Sequence, residues 1–283
     1  MAVETKPIVV PLDGSKNAEL ALPAAEALSR LYGAPLAFVH AVHGEHSESA
    51  IDRAAAQKVF ADYVAGLAVS RALDASVRTS AVVDGPPAEG VLHFAADALF
   101  IVLASHGRGG FRAALVGSVA DKIVRGSGVP VVLVPASGVS RAIEQGPILV
   151  AIDGSKEAEE GLRLAREIAA RAKCGVALLR AYDTTPPVYV DFTFYPADFA
   201  SGIEEAAREY LKGAALPGET TLVAQGRADA AIEEAAETLD AGLVVMTTQG
   251  MGLGKRIALG SITDRVMRSL KRPLLIMPAE PKS

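Results

Sequence analysis

The chain has 283 residues, 50% hydrophobic and 22% charged, enough to bury a substantial core and outside the composition of a disordered protein. Its 28 basic and 33 acidic residues leave a net charge of −5, which argues against nucleic acid or an anionic membrane as a general partner. The single cysteine, Cys174, excludes an intrachain disulfide and fits a reducing cytoplasm; its surroundings, KCGVALL, read as the start of a buried strand. No basic leader pattern opens MAVETKPIVV, and apolar runs such as ALFIVLA fall short of the ~18 residues of a membrane span. Neither export nor membrane insertion is expected.

In chain order, short β-branched runs alternate with longer stretches of helical period. PIVVPL reads as a strand, followed by a helix from about Asn17, the strand LAFVHAV and a helix from about Ser49. Then come the strand ASVRTSAVV, the helix PAEGVLHFAA, the strand ALFIVLAS, a helix after Gly117 and the strand VPVVLVP. Continuous apolar strands alternating with helices indicate a parallel sheet covered on both faces, here with five strands and four helices. In such a sheet, ligands bind at the carboxyl ends of the strands, where the strand order reverses.

The pattern occurs twice. VVPLDGSKNAELALPAAEAL matches LVAIDGSKEAEEGLRLAREI, placing Asp13 opposite Asp153 at an offset of 140 that grows to 143 at Gly117 and Gly260. The expected architecture is α/β, two tandem Rossmann-like domains over 1–140 and 141–283, joined within ASGVSRAIEQG, residues 136–146.

Both copies carry a glycine-rich loop after the fourth strand, SHGRGGFRAALVGS and TQGMGLGKRIALGS. Ser118 and Ser261 open SVAD and SITD, patterns of a capping box, so each Gly-Ser pair marks a helix start where free N–H groups and the helix dipole favour an anion. Gly117 and Gly260 let backbone approach a phosphate, and Arg108 and Arg112, or Lys255 and Arg256, supply countercharge. The plain alternative is ordinary capping beneath a long surface loop, against which the duplication argues. Asp13 and Asp153 follow the first strand of each copy; they suit either a turn or a carboxylate receiving a ribose hydroxyl or a phosphate-bound Mg²⁺.

These residues resemble the universal stress protein family in its tandem, ATP-binding form, over nearly the whole chain. The family's Gly-x2-Gly-x9-Gly-(Ser/Thr) is matched by Gly107 with Gly117-Ser118 and by Gly250 with Gly260-Ser261, and Gly85-Pro86-Pro87 matches its Gly-x-Pro. The resemblance implies a cytoplasmic stress-response module that binds ATP or another adenine nucleotide with Mg²⁺. In the first copy it implies contacts from Pro11, Asp13, Ala41, Gly85, Ala104, Gly107, Arg108, Gly117, Ser118 and Val119. In the second it implies Ala151, Asp153, Ala181, Gly226, Thr247, Gly250, Gly260, Ser261 and Ile262. Asp13 and Asp153 would face ribose or metal, backbone of Ala41 and Ala181 the adenine edge, and the Gly-Ser pairs the phosphates. Ala104 and Thr247 replace the first motif glycine, Ala151 replaces Pro11, and Gly226-Arg227-Ala228 replaces Gly-x-Pro, so the second site is expected to be the weaker. The family also implies dimerisation through the last strands, VPVVLVP and RPLLIMP, which in a tandem chain can pair the two copies with each other, with a further homodimer expected besides.

Other features carry less. His40, His43 and His46 straddle a strand end and lack a completing ligand, which leaves a metal site weakly supported. His106 is a phosphate-contact candidate, but Gln249 matches it in the second copy. The aromatic stretch of residues 182–199 reads as a satellite cluster or a lid. No P-loop, dinucleotide fingerprint or nucleophile elbow is present, so no catalytic residue is assigned and rapid turnover is not expected. A slow ATP hydrolase or nucleotidyl transferase, and a nucleotide-free scaffold, are the alternatives.

Overall fold

Alternation of apolar strands with helices produces, in the computed structural model, a three-layer α/β/α arrangement over the described residues 5–42, 50–73, 78–106, 116–136, 143–183, 199–248 and 259–278. The first half runs β1 (Ile8–Pro11), α1 (Lys16–Glu19), α2 (Leu22–Tyr32), β2 (Leu36–Val42), α3 (Ala50–Ser70), β3 (Arg78–Asp84), α4 (Pro87–Phe94), β4 (Phe100–Ala104), α5 (Ser118–Gly126) and β5 (Val131–Val134). The second repeats it as β6 (Ile148–Ala151), α6 (Lys156–Ala172), β7 (Val176–Tyr182), α7 (Phe199–Ala214), β8 (Thr220–Gln225), α8 (Ala228–Thr238), β9 (Leu243–Thr247), α9 (Ser261–Ser269) and β10 (Leu274–Met277).

One expectation needs correction. The helix from about Asn17 is split into α1 and α2, giving, among the described residues, five helices in the first half against four in the second. Pro23 occupies the first turn of α2; it donates no N–H, and its ring opposes a carbonyl four residues back. Leu20 and Ala21 instead donate to Asn17 and Ala18, three residues back, at 3.1 and 3.2 Å. The second half has Arg163 at the matching position, and α6 continues for 17 residues.

Within each half the strands are parallel, ordered β3-β2-β1-β4-β5 and β8-β7-β6-β9-β10. The two sheets merge into one of ten strands, because β5 and β10 pair antiparallel with Leu275 opposite Val132. The last strands therefore saturate each other's edges inside one chain. Two cores line the sheet, one under α2, α3, α6 and α7, the other under α4, α5, α8 and α9, and both extend through the two halves.

Polar contacts also cross between the two halves. Arg125 of α5 holds Asp121 on its own helix and Asp264 of α9, each at 2.9 Å, while Arg268 holds Asp264 at 3.0 Å. On the opposite layer, the Arg171 guanidinium stacks 4.3 Å over the Tyr32 ring and donates to the Leu31 carbonyl. Cys174 lies in the turn before β7, half-buried, rather than in the strand; burial raises its thiol pKa.

Candidate functional site

The order reversal falls at β1, flanked by β2 and β4, and at β6, flanked by β7 and β9. Pairing of β1 with β4 ends at Val9–Ile101 while pairing with β2 continues to Pro11–Val39, so a crevice opens beyond Val9. In the second half, β6 pairs with β9 only through Val150–Val245 but with β7 through Ala151–Leu179. Of the residues named for the two sites, those of the second half are the ones a cavity brings together.

The loop after each first strand has one geometry in both halves. Asp13 Oδ1 accepts from the Ser15 amide at 2.9 Å, and Asp153 Oδ1 accepts from the Ser155 amide at 3.0 Å. Ser15 and Ser155 then cap the following helices, each accepting from an alanine amide at 3.2 Å. Gly14 and Gly154 make the turn at φ 81° and 90°. Both aspartates thus hold the turn, and Asp153 also lines the second crevice, so the turn role and the site-facing position are not exclusive.

Both helices start directly after the glycine, as expected, but the cap falls one residue earlier than the capping boxes imply. Gly117 and Gly260, not Ser118 and Ser261, are the N-caps, with extended ψ of 145°. Among the described residues no side chain caps either helix, so the capping boxes read from SVAD and SITD do not form. The Gly117 amide donates to the Ser105 carbonyl and that of Gly260 to the Thr248 carbonyl, both at 2.7 Å. This leaves the first helical amides, those of Ser118 and Val119 or Ser261 and Ile262, without an intrahelical acceptor. Val119 and Ile262 are partly exposed at the same place on the two helices. A Cβ on Gly117 would meet the Ser105 carbonyl at 3.3 Å, so this glycine also answers to the chain's own backbone.

A cavity of ≈ 390 Å³ occupies the second crevice. Ala151, Asp153 and Ala181 line it from the β6 and β7 ends, Thr247 from β9, and Gly260, Ser261 and Ile262 from the start of α9. Seven of the nine residues named for the second site therefore share one cavity. Sequence reasoning missed Leu179, Ile232 and Met246, which give it an apolar wall, and Thr263, whose hydroxyl donates to the Thr247 carbonyl at 2.9 Å. Their inward positions follow from strand alternation and helix period, signals that do not separate a cavity wall from a core. Thr247 points its methyl branch toward α6, 3.6 Å from where a Gly161 Cβ would lie.

Gly85 and Gly226 follow β3 and β8 at φ 97° and 111°, conformations that favour glycine; Gly226 does not line the cavity. In the first half, Ala41 lies near the end of β2 opposite Val83, Pro11 ends β1, and Ala104 ends β4. Gly107, Arg108, Arg112, Gly250, Lys255 and Arg256 lie outside the described residues, as do His43, His46, Gln249 and most of the aromatic stretch. His40 is a packing residue: its Nδ1 lies 2.8 Å from the Leu12 carbonyl and its ring stacks on Phe60. Among the described residues no cluster of three His, Cys, Asp or Glu side chains suits a metal, and no helix is long and apolar enough to cross a membrane. Burial lowers the pKa of His106, which favours the neutral imidazole and removes it as a countercharge.

The profile of the universal stress protein family matches the chain twice, at residues 4–135 and 146–278. The universal stress protein Rv2005c of Mycobacterium tuberculosis is 27% identical over 206 residues, covering 70% of this chain and 68% of that protein. A universal stress protein of Thermus aquaticus is 31% identical over 133 residues, 46% of this chain and 96% of its own. In fold, a functionally unknown protein of Pseudomonas aeruginosa PAO1 covers 97% of this chain and 92% of its own, with a TM-score of 0.72 at 18% identity. With the strand order, the duplicated turns and both profile matches in agreement, the chain belongs to the universal stress protein family, as two tandem domains of that kind.

Proposed function

We propose that each half, residues 1–140 and 141–283, binds an adenine nucleotide, ATP first among them, with Mg²⁺ on its phosphates, and that occupancy regulates a protective role in the cytoplasmic stress response. The observation that carries this reading is the second-half cavity, joined to a helix start that no side chain among the described residues caps. Its ≈ 390 Å³ lies within the roughly 300–1,000 Å³ of small-molecule sites, with an apolar wall for a base and few polar groups to orient it. Asp153 at the rim suits a ribose hydroxyl, and the Ser261 and Ile262 amides suit phosphate oxygens, where the helix dipole adds to the attraction. In the first half, Asp13, Ser118 and Val119 hold the matching places, with Ala104 at the end of β4.

Mass spectrometry of ligands released from gently purified protein, followed by incubation with labelled ATP, tests this reading. Intact adenine nucleotide retained at one or two per chain is the expected result. Release of ADP or AMP beyond stoichiometry would instead make the protein a slow hydrolase or transferase, and no retention with no binding of added Mg-ATP would leave the scaffold reading.

A further inference from the structure

The two crevices are flanked by equivalent helices, α4 and α5 in the first half and α8 and α9 in the second, but the pairs are joined by different means. Between α8 and α9 the joints are polar. Asp229, 6% exposed in the first turn of α8, accepts from the neighbouring Arg227 at 2.6 Å, and Nε of Arg265 on α9 approaches the same carboxylate oxygen at 3.2 Å. Farther along, the Ser269 hydroxyl of α9 donates to Glu233 of α8. Thr263, 4% exposed, ties α9 to the end of β9 through its bond to the Thr247 carbonyl.

The first half has none of these groups. Ala88, Leu92, Ala120, Lys122 and Gly126 stand where the second half has Asp229, Glu233, Thr263, Arg265 and Ser269. Among the described residues no side-chain hydrogen bond or ion pair joins α5 to α4 or to β4. The two helices pack by apolar contact instead, so closely that a Cβ on Gly126 would meet Leu92 at 2.8 Å. Apolar contact is non-directional, whereas charge-assisted hydrogen bonds fix orientation as well as distance.

The polar joints lie against the cavity. Its lining takes Ala228 and Ile232 from α8, and Ser261, Ile262 and Thr263 from α9. They therefore fix the distance between the apolar wall and the helix start whose amides suit phosphate. The glycine replaced by Thr247 takes little from this site, because the methyl branch of Thr247 is turned toward α6.

We propose that Asp229 and Thr263 are positioning residues that hold α9 against the cavity wall before ligand arrives, and that the second half is thereby the tighter of the two nucleotide sites. The inference rests on the nucleotide reading of this cavity and reverses the ranking that the substituted motif residues imply. A site whose walls are already fixed gives up less ordering free energy on binding. Loss of the Asp229 carboxylate removes the joint and also leaves Arg227 and Arg265 as like charges facing each other across the seam.

Equilibrium dialysis of labelled ATP with Mg²⁺ against the full chain separates two classes of site, and Ala181→Phe, which fills the second cavity, assigns them. The tighter class should be lost in that variant. Asp229→Ala and Thr263→Ala give the second half the residues of the first; they should weaken the tighter class about tenfold and about fivefold, leaving the weaker class unchanged. Constancy of the weaker class shows that the chain remains folded. Asp229→Asn keeps the shape and should lose less, while Thr263→Ser keeps the hydroxyl and should retain nearly full affinity. Two sites of equal affinity, or loss of the weaker class in Ala181→Phe, overturns the ranking. Substitutions at Asp229 and Thr263 that leave both classes unchanged, or lower both alike, overturn the positioning roles. A parent chain that binds no ATP sinks the nucleotide reading itself, and this inference with it.

Discussion

The first half breaks the helix after its opening strand at Pro23, whereas the second runs it unbroken from Lys156 to Ala172. Yet the turn feeding that helix has matching hydrogen bonds in both halves, and so does the glycine that starts the helix after the fourth strand. What the repeat retains is backbone geometry at the turn and helix start; what it lets drift is the helix one turn farther on. Thr263 shows the same drift: its hydroxyl ties α9 to β9 where the first half has Ala120. A binding edge built from amides and turns tolerates such changes because its donors belong to the main chain.

The comparison breaks most severely at Arg163. Arg163→Pro would impose on α6 the interruption seen in the first half, but without a preformed turn, and should cost about 3 kcal/mol or more, read as a lowered denaturant midpoint. Next in size, Ala181→Phe would fill the second cavity and should weaken nucleotide binding there at least about a hundredfold, nearly 3 kcal/mol, while sparing the first half; calorimetry reads both.

Gly85→Ala and Gly226→Ala sharpen the comparison from the other direction. Each glycine has positive φ and no atom within 4 Å of a built Cβ, so each substitution should cost a similar backbone-strain penalty of about 1–2 kcal/mol in thermal unfolding. A large difference between them would show that the two turns are not equivalent.

The smallest expected effect separates Asp264 from Asp121. Hydrogen bonds from Arg268, then the attraction of Arg268 and Arg125, hold the Asp264 carboxyl below its ordinary pKa. Its stabilisation is therefore present above the unfolded aspartate value of ~3.9 and is lost as the pH falls through the folded value. Asp264→Asn should cost about 1 kcal/mol at pH 6, with the difference vanishing in acid. Asp121→Asn should cost less, since Asp121 holds Arg125 alone and its buried Oδ1 has no partner.

Much of this fold was legible because apolar runs separated by turn residues fix parallel strands, and because the duplicated DGS turn and Gly-Ser pair fix the repeat. The LAFVHAV strand coincides with β2, Leu36–Val42. Pro23 marks the break in the first helix, but the apolar period continues across it and by itself implies one helix. Ser118 and Ser261 look like caps on pattern alone; the extended conformation of the preceding glycines, bonded back to Ser105 and Thr248, moves the cap by one residue. The cavity wall was illegible for a different reason. Leu179, Ile232 and Met246 have the pattern of core residues, and only the divergence of β6 from β9 leaves room beside them.

Calorimetric titration of Mg-ATP into the full chain, alongside Ala181→Phe, tests the paired sites most directly. Two equivalents of nucleotide bound by the parent and one by the variant is the predicted outcome. No heat and no bound nucleotide in either protein, at ligand concentrations into the millimolar range, would contradict it.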